Sequence, residues 1–314
     1  MKTVLVTGGA GFIGSHLADR LLKEKYKVVV IDNLATGRRE NLNPKAKFYG
    51  VDICSPRISG IFTREKPEVV FHYAAQINVR KSLEDPRADA KINILGTLNI
   101  LENCRTYKVK KIIFASSGGS IYGETNNIPT SENQPGNPES PYAISKFVAE
   151  KYLDFYKRKY GLDCGVLRYA NIYGPRQNPQ GEAGVIAIFI DRLINSKKPV
   201  INGDGKQTRD YVYVTDAVQA AFLLLKSPSL RKPIFNVGTG IETSVNQIYK
   251  LISEKIGKKI LPKFVSAKAG DLKRSCLNSL KIKRELGWRP TYDLDRGVEE
   301  TVKWFLGQKY YGKS

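Results

Sequence analysis

A tyrosine and a lysine stand four residues apart in Tyr142-Ala143-Ile144-Ser145-Lys146, a spacing that puts both on one face of a helix. A phenol titrates near pH 10 in water and is a poor base at neutral pH. An ammonium group beside it, or any other positive charge held near it, favours the phenolate. The pair is then suited to taking a proton from a hydroxyl and giving it back. Tyr and Lys meet at this spacing by chance in many helices, so the pair needs support from elsewhere in the chain. That support lies upstream, where Gly8, Gly11 and Gly14 recur in Thr7-Gly8-Gly9-Ala10-Gly11-Phe12-Ile13-Gly14. Between a strand and a helix, Gly8 makes a tight turn, Gly11 lets backbone approach a pyrophosphate, and Gly14 lets helix and strand pack closely. The helix start at Phe12 and Ile13 offers free N–H groups to the phosphates. Asp32 follows 18 residues after Gly14, where a carboxylate can accept hydrogen bonds from ribose hydroxyls. A carboxylate there repels a 2′-phosphate, which favours NAD over NADP.

The elements that must hold these groups are legible as a βαβ alternation. Short apolar runs predict strands at 3–6, 27–31, 47–51, 69–73, 111–115 and 164–168. Between them lie helical patterns at 12–23, 88–107 and 142–160, the last capped by Gly161. This predicts an α/β fold, a Rossmann-type doubly wound parallel sheet. After Arg168 the regularity breaks, and Gly, Pro and Asn punctuate 171–184, with a further turn at 202–205. A helix at 217–226, a strand at 234–237, an amphipathic helix at 244–256 and a small mixed cap complete the pattern. The reading is an NAD-binding unit over 1–170, completed by about 211–239. A smaller mixed α/β substrate unit takes the rest of 171–314, mainly 171–210 and 240–314. No internal repeat or low-complexity linker separates them.

Composition narrows the chemistry. The 314 residues carry 51 Lys+Arg against 30 Asp+Glu, a formal charge of +21, with 41% hydrophobic and 26% charged residues. That balance excludes a disordered polyelectrolyte. The basic residues are spread along the chain with no basic tail and no aromatic–basic tract, so a basic surface that attracts small anions is expected rather than a nucleic-acid partner. Four cysteines without a CxxC pair and two histidines argue against a disulfide framework, a zinc site or any other metal, and nearly exclude triads built on His. No run of 18 apolar residues occurs, and the first residues reach glycine too soon for a signal peptide. No membrane association is expected, and the location that follows is cytoplasmic.

With the stretch Ser116-Ser117-Gly118-Gly119-Ser120-Ile121-Tyr122-Gly123, the glycine turn and the Tyr–Lys pair together resemble an extended short-chain dehydrogenase/reductase. Within it the chain is most similar to the UDP-glucose 4-epimerase family of nucleotide-sugar enzymes, and the likeness runs from Gly8 to Trp288. The resemblance implies Tyr142 as base and Lys146 as holder of the nicotinamide ribose. It implies Ser117 as hydrogen-bond partner of the sugar 4-hydroxyl, or Ser116 if the alignment shifts by one. It implies tightly bound NAD that is not consumed. The cofactor would meet Gly8, Gly11, Phe12, Ile13, Gly14, Asp32, Asn33, Asp52, Ile53, Asn93, Ser116 and Tyr169, together with Ala74 and Ala75 of His72-Tyr73-Ala74-Ala75. His72 itself reads as a packed strand residue. The substrate would meet Arg80, Asn171, Val185, Ile186, Arg209 and Asp271. Lys268 stands where the family commonly has arginine, and Arg274 lies close enough in sequence to replace that contact. Ser275 aligns with a position that is bulky in members restricted to glucose and galactose, and small in those that take N-acetylated sugars. A homodimer through the helices at 88–107 and 142–160 is implied as well.

Absent residues exclude other reactions of that scaffold. Related dehydratases usually carry an Asp-Glu pair beside the active-site Ser or Thr, and decarboxylases tend to carry Glu; here Gly118-Gly119-Ser120 holds no carboxylate. No Cys–His pair suited to epimerisation beside a keto group is evident. What remains is reversible hydride transfer at one carbon. The expectation is an isomerase that interconverts UDP-glucose with UDP-galactose, and UDP-GlcNAc with UDP-GalNAc, through a transient 4-keto sugar. The alternative is another NAD(P)-dependent nucleotide-sugar oxidoreductase on the same fold.

Overall fold

Residues 1–180, 184–229, 233–267 and 272–311 are described by the computed structural model, with side chains to Gly307. Strand β1 (Thr3–Thr7) turns Val4 and Val6 to one apolar cluster and Leu5 to another. A strand that is apolar on both sides must lie inside a sheet covered on both faces. Its partners are β2 (Lys27–Asp32), β3 (Lys47–Gly50), β4 (Val69–His72), β5 (Lys111–Ser117), β6 (Asp163–Tyr169) and β7 (Ile234–Val237). They form a parallel sheet in the order β7-β6-β5-β4-β1-β2-β3. The order reverses between β1 and β4, so a crevice opens at their C-terminal ends, where ligands of open α/β sheets bind. The Rossmann-type reading of the sequence therefore holds.

The main helices are α1 (Phe12–Lys23), α2 (Ile58–Glu65), α3 (Gly96–Thr106), α4 (Pro141–Tyr160), α5 (Val185–Ile194), α6 (Val214–Lys226), α7 (Val245–Ile256) and α8 (Leu294–Tyr311). One face of the sheet is covered by α1 and α6, the other by α2, α3 and α4. Helix α4 starts sharply: the Ser140 hydroxyl accepts from Ala143 N at 3.2 Å and Pro141 occupies the first turn, which seats Tyr142 there too. Gly161, at φ +68°, ends it. A third apolar cluster joins α5, α7 and α8 around Tyr173, Tyr211 and Tyr213. Trp288 instead packs into the cluster under the sheet and donates its indole N–H to the Asp216 carbonyl at 2.9 Å.

Edge strand β3 is fastened to α2 through Glu65, whose side chain is 1% exposed. Burial by itself would push this carboxyl up. Hydrogen bonds from Lys47 (2.5 Å) and Tyr49 (2.5 Å), with Lys27 at 3.1 Å, hold it at about 2 instead. In the unfolded chain it titrates near its ordinary value of 4.5. The folded state thus binds fewer protons between these values, and the stabilisation is complete above about 4.5 and lost as the pH falls toward about 2. Glu65→Gln is expected to lower stability at pH 7. Its difference from wild type in urea melts should shrink steadily across that acid window.

Candidate active site

The glycine turn closes on itself at the C-terminal end of β1. Gly8, at φ +70°, donates its N–H to Ile31 O at 2.8 Å, and a Cβ there would stand 2.6 Å from Ala74 N. A Cβ at Gly14 would stand 2.2 Å from the Gly8 carbonyl oxygen, so the helix can come this close only on glycine. Helix α1 begins after Gly11 with no capping side chain and no acidic residue in its first turn, which leaves N–H groups directed at the groove. Asp32 is buried at the end of β2. Its Oδ2 accepts from Ala10 N at 3.0 Å and its Oδ1 from Leu34 N at 2.8 Å, which binds the turn to the second strand. Asn33 donates to Asp52 at 2.7 Å. Burial raises the Asp52 carboxyl, but bonds from Cys54 and Asn33 outweigh it and leave the group below its ordinary value. Ile53 is buried against Gly96.

Lys146, two residues after the exposed Ile144, points inward. Its ammonium donates to the Ala115 carbonyl at 2.9 Å and lies 4.6 Å from the centre of the Phe114 ring. Burial pushes it down to about 8, against the opposing pull of Asp89 and Glu150. Tyr142 lies one turn earlier on the same face of α4 and is half-buried. The two serines part company at the end of β5. Ser116 is buried and donates to Glu150 at 2.6 Å, and Glu150 pairs with Arg168 through bonds of 2.6, 2.9 and 3.2 Å. Ser117 points to the opposite side, half-exposed, and accepts from Ser120 at 2.7 Å. The geometry therefore favours Ser117 as the serine open to a ligand and gives Ser116 a task inside the sheet.

The end of β4 is pinned by a line of hydrogen bonds. Thr97 donates to Asn93 O at 2.6 Å, so it accepts from His72 Nε2 at 3.0 Å; His72 Nδ1 then accepts from Thr7 at 2.7 Å. Burial, aided by the Lys146 charge, drives the His72 imidazole to about 3, so the ring is neutral and structural. Thr7 accepts in turn from Tyr73 N and Ala74 N, both at 3.2 Å. Ala75 lies beside Ala74 and is half-buried. Asn93 clamps Gln76 through two bonds of 2.9 Å and donates to Asp89 at 3.0 Å; Asp89 accepts from Ser145 at 2.5 Å. Tyr169 is buried under this ledge, its hydroxyl 2.6 Å from that of Tyr73 and donating to Ala217 O at 3.3 Å. Burial raises both phenols, so they stay protonated.

The C-terminal segments bring a second set of residues to the same crevice. A Cβ at Gly119 would lie 3.7 Å from Asn171 Oδ1 and 3.8 Å from Ser275 Oγ, so three separate stretches of chain converge there. Arg209 pairs in register with Ser275, and its Nη1 donates to Thr208 O at 2.8 Å. No carboxylate among the described residues neutralises it. Asp210 is buried between strands and accepts from Thr239, Gly240 and Leu277 at 2.6 to 3.2 Å. Burial raises its carboxyl despite these bonds. Arg274 is directed elsewhere: successive strand residues face opposite ways, and its guanidinium forks onto Glu242. Val185 opens α5, whereas Ile186 is fully buried in the third cluster. Arg80 is exposed in the helix Val79–Glu84. Lys268 and Asp271 lie outside the described residues.

Comparison with known proteins narrows what such a site belongs to. The model of the NAD dependent epimerase/dehydratase family matches residues 4–238. A UDP-glucose 4-epimerase of Mycolicibacterium smegmatis is 46% identical over 310 residues, covering 97% of this chain and 98% of that protein. The crystal structure of a UDP-glucose 4-epimerase from Thermotoga maritima with UDP-glucose superposes with a TM-score of 0.96 at 47% identity, covering 98% and 99% of the two chains. That of the Thermus thermophilus UDP-glucose 4-epimerase with NAD gives 0.92 at 44%, covering 97% and 99%. The chain belongs to the NAD-dependent epimerase/dehydratase family.

For a member of this family, the groove fits NAD on its own stereochemistry. The pyrophosphate would have the Cβ-free cradle of Gly8, Gly11 and Gly14 and the uncapped start of α1, and the adenosine end would have Asp32, Asn33 and Asp52. Among the described residues no group of His, Cys, Asp and Glu could hold a metal ion. No described helix is long and apolar enough to cross a membrane. Sequence reasoning missed Gln76, Asp89 and Glu150 as site-building residues. The spacing of 142, 146 and 150 on one helix face was the signal for Glu150. Gly14→Ala should force α1 off Gly8. Its purified protein is expected to release little or no NAD on acid denaturation while keeping a helical circular dichroism spectrum; undiminished NAD would contradict the cradle.

Proposed function

We propose that the chain is a UDP-hexose 4-epimerase, with Tyr142, Lys146 and Ser117 at its reacting centre. The observation that carries this reading is that Tyr142 and Lys146 share one face of α4 while Ser117 leads into the short helix Gly118–Ile121, which holds glycines where a second acid or base would stand. NAD, when bound, supplies the acceptor and donor of one hydride. Tyr142 takes the proton of the sugar 4-hydroxyl as the C4 hydride departs, and returns it after the 4-keto sugar has turned over. Lys146, desolvated beneath β5, favours the phenolate and holds the nicotinamide ribose. Ser117 steadies the sugar oxygen. Arg209 and Asn171 grip the diphosphate, a task that suits a guanidinium without a carboxylate partner among the described residues. Remote binding energy then positions C4 while the hexose rotates.

The meeting of Gly119, Asn171 and Ser275 bears on the sugar. A serine hydroxyl is small enough to leave room for an acetamido group, so UDP-GlcNAc and UDP-GalNAc join the proposed substrates. A second copy of the chain is the proposed partner: Leu95 (59%), Ile144 (47%), Phe155 (41%) and Tyr160 (46%) stand exposed along the helices that end in α3 and α4. Such an apolar band on two adjacent helices suits a four-helix contact between copies.

Proton NMR of UDP-glucose and of UDP-GlcNAc, each mixed with the purified protein and no added cofactor, tests the reading. Both galacto-epimers should appear, and no change in either sugar, even with NAD supplied, sinks it. Tyr142→Phe is expected to slow epimerisation by roughly 10²- to 10⁴-fold with NAD still bound. Ser275→Tyr is expected to remove the UDP-GlcNAc reaction and spare UDP-glucose; equal loss on both would refute the placement of the acetamido group.

A further inference from the structure

The loop Gly174-Pro175-Arg176-Gln177-Asn178 has no part in the reaction just described, yet two hydrogen bonds and an ion pair tether it to α1 and to the loop after β2. It leaves the sheet beyond β6, after the short strand Asn171–Tyr173. Its anchors lie on the far side of the switch point. The Pro175 carbonyl accepts from His16 Nε2 at 2.9 Å, Arg176 Nη1 lies 2.7 Å from Asp19 Oδ2, and Asn178 Oδ1 accepts from Arg38 Nη2 at 3.2 Å. His16 and Asp19 sit on α1, just past the turn that faces the pyrophosphate. Arg38 follows β2, and its backbone N–H donates to Ala10 O of the glycine turn at 3.0 Å. In the sheet, β5, β4 and β1 stand between β6 and β2. The strap therefore links the β6 side of the switch point to the β1 and β2 side.

Two further details show that the strap is held in place. Arg176 has φ +67°, a left-handed conformation that a residue with a Cβ keeps only where surrounding contacts demand it. The neighbouring Gln177 is turned inward to donate to Ile172 O at 3.2 Å, and a Cβ at Gly184, where α5 begins, would stand 3.1 Å from its Nε2. One short segment thus joins α1, the loop after β2 and the start of a C-terminal helix.

We propose that this strap retains NAD. It ties the α1 and β2 side of the dinucleotide groove to the C-terminal segments, and the cofactor leaves only when the tethers open. His16, Asp19 and Arg176 act as positioning residues through the strap, without needing to touch the cofactor. The inference rests on the epimerase reading in one respect: an enzyme that returns its hydride in every turnover has use for a cofactor that stays.

The test is exchange of bound NAD in the purified holoprotein against an excess of isotopically labelled NAD, followed by rapid filtration. Asp19→Ala and Arg176→Ala are each expected to speed exchange about fivefold, with kcat at saturating NAD within about twofold of wild type. The charge-swapped pair Asp19→Arg with Arg176→Asp should restore slow exchange. Glu24→Gln, which breaks the exposed pair with Arg20 on the same helix, should leave exchange alone. Unchanged exchange in both single variants, or equal acceleration by Glu24→Gln, overturns the proposal. A wild-type protein that holds NAD behind the strap but epimerises no UDP-hexose would instead sink the reading of the preceding subsection.

Discussion

Between α4 and the sheet, a carboxylate and a guanidinium are sealed from water, with Glu150 and Arg168 side chains 2% and 5% exposed. A pair taken out of solvent persists only when its remaining polar atoms are satisfied. Here they are. Glu150 also accepts from Ser116, and Arg168 donates to Tyr122, which donates to Asn236 within β7. One network thus sets the register of α4 against β5, β6 and β7. Because Ser116 is drawn inward, Ser117 must face the other way, and because Glu150 is fixed, Lys146 and Tyr142 one and two turns earlier are fixed with it. The groups proposed to move a proton inherit their geometry from a pair that touches no substrate.

Two other constraints bear on the same crevice. Burying the Lys146 ammonium is costly, which is why its titration falls, and the Ala115 carbonyl and Phe114 ring offset only part of that cost. The folded chain carries this cost at the place where a desolvated cation can act on a phenol and a ribose. The glycine turn is a constraint of contact rather than charge. The 2.2 Å that would separate a Gly14 Cβ from the Gly8 oxygen leaves no other residue for that position if α1 is to aim its N–H groups at a phosphate.

Much of this was legible in the residue pattern. The expected α1 at 12–23 and β7 at 234–237 coincide with the structure, and Gly161 does end α4, because strong apolar periods and caps act locally. Other elements were less legible. Helix α6 starts at Val214, earlier than expected, since the β-branched Val214 and Thr215 disfavour a helix that tertiary packing then imposes. The apolar run at 185–190 proved to be α5; a short wholly apolar stretch does not reveal its period. The helix at 88–107 contains a π turn at Lys91–Leu95, which local propensity does not signal. The cap expected after residue 256 contains α8, a largely polar helix whose Val298 and Val302, with Leu294 and Phe305 beside them, meet the third cluster.

The sequence by itself determined the residue types and local spacings: glycines where backbone must approach, Asp32 after the second strand, and tyrosine and lysine one helical turn apart. These are short-range rules of sterics and periodicity, and they act within a few residues. Only the tertiary structure decided which serine turns to Glu150 and which to Ser120, that Arg274 pairs with Glu242, and that Asn171, Gly119 and Ser275 meet. Those outcomes depend on which side of a strand faces which neighbour. That is settled when segments far apart in the chain compete for the same buried hydrogen bonds, a competition that no local pattern records.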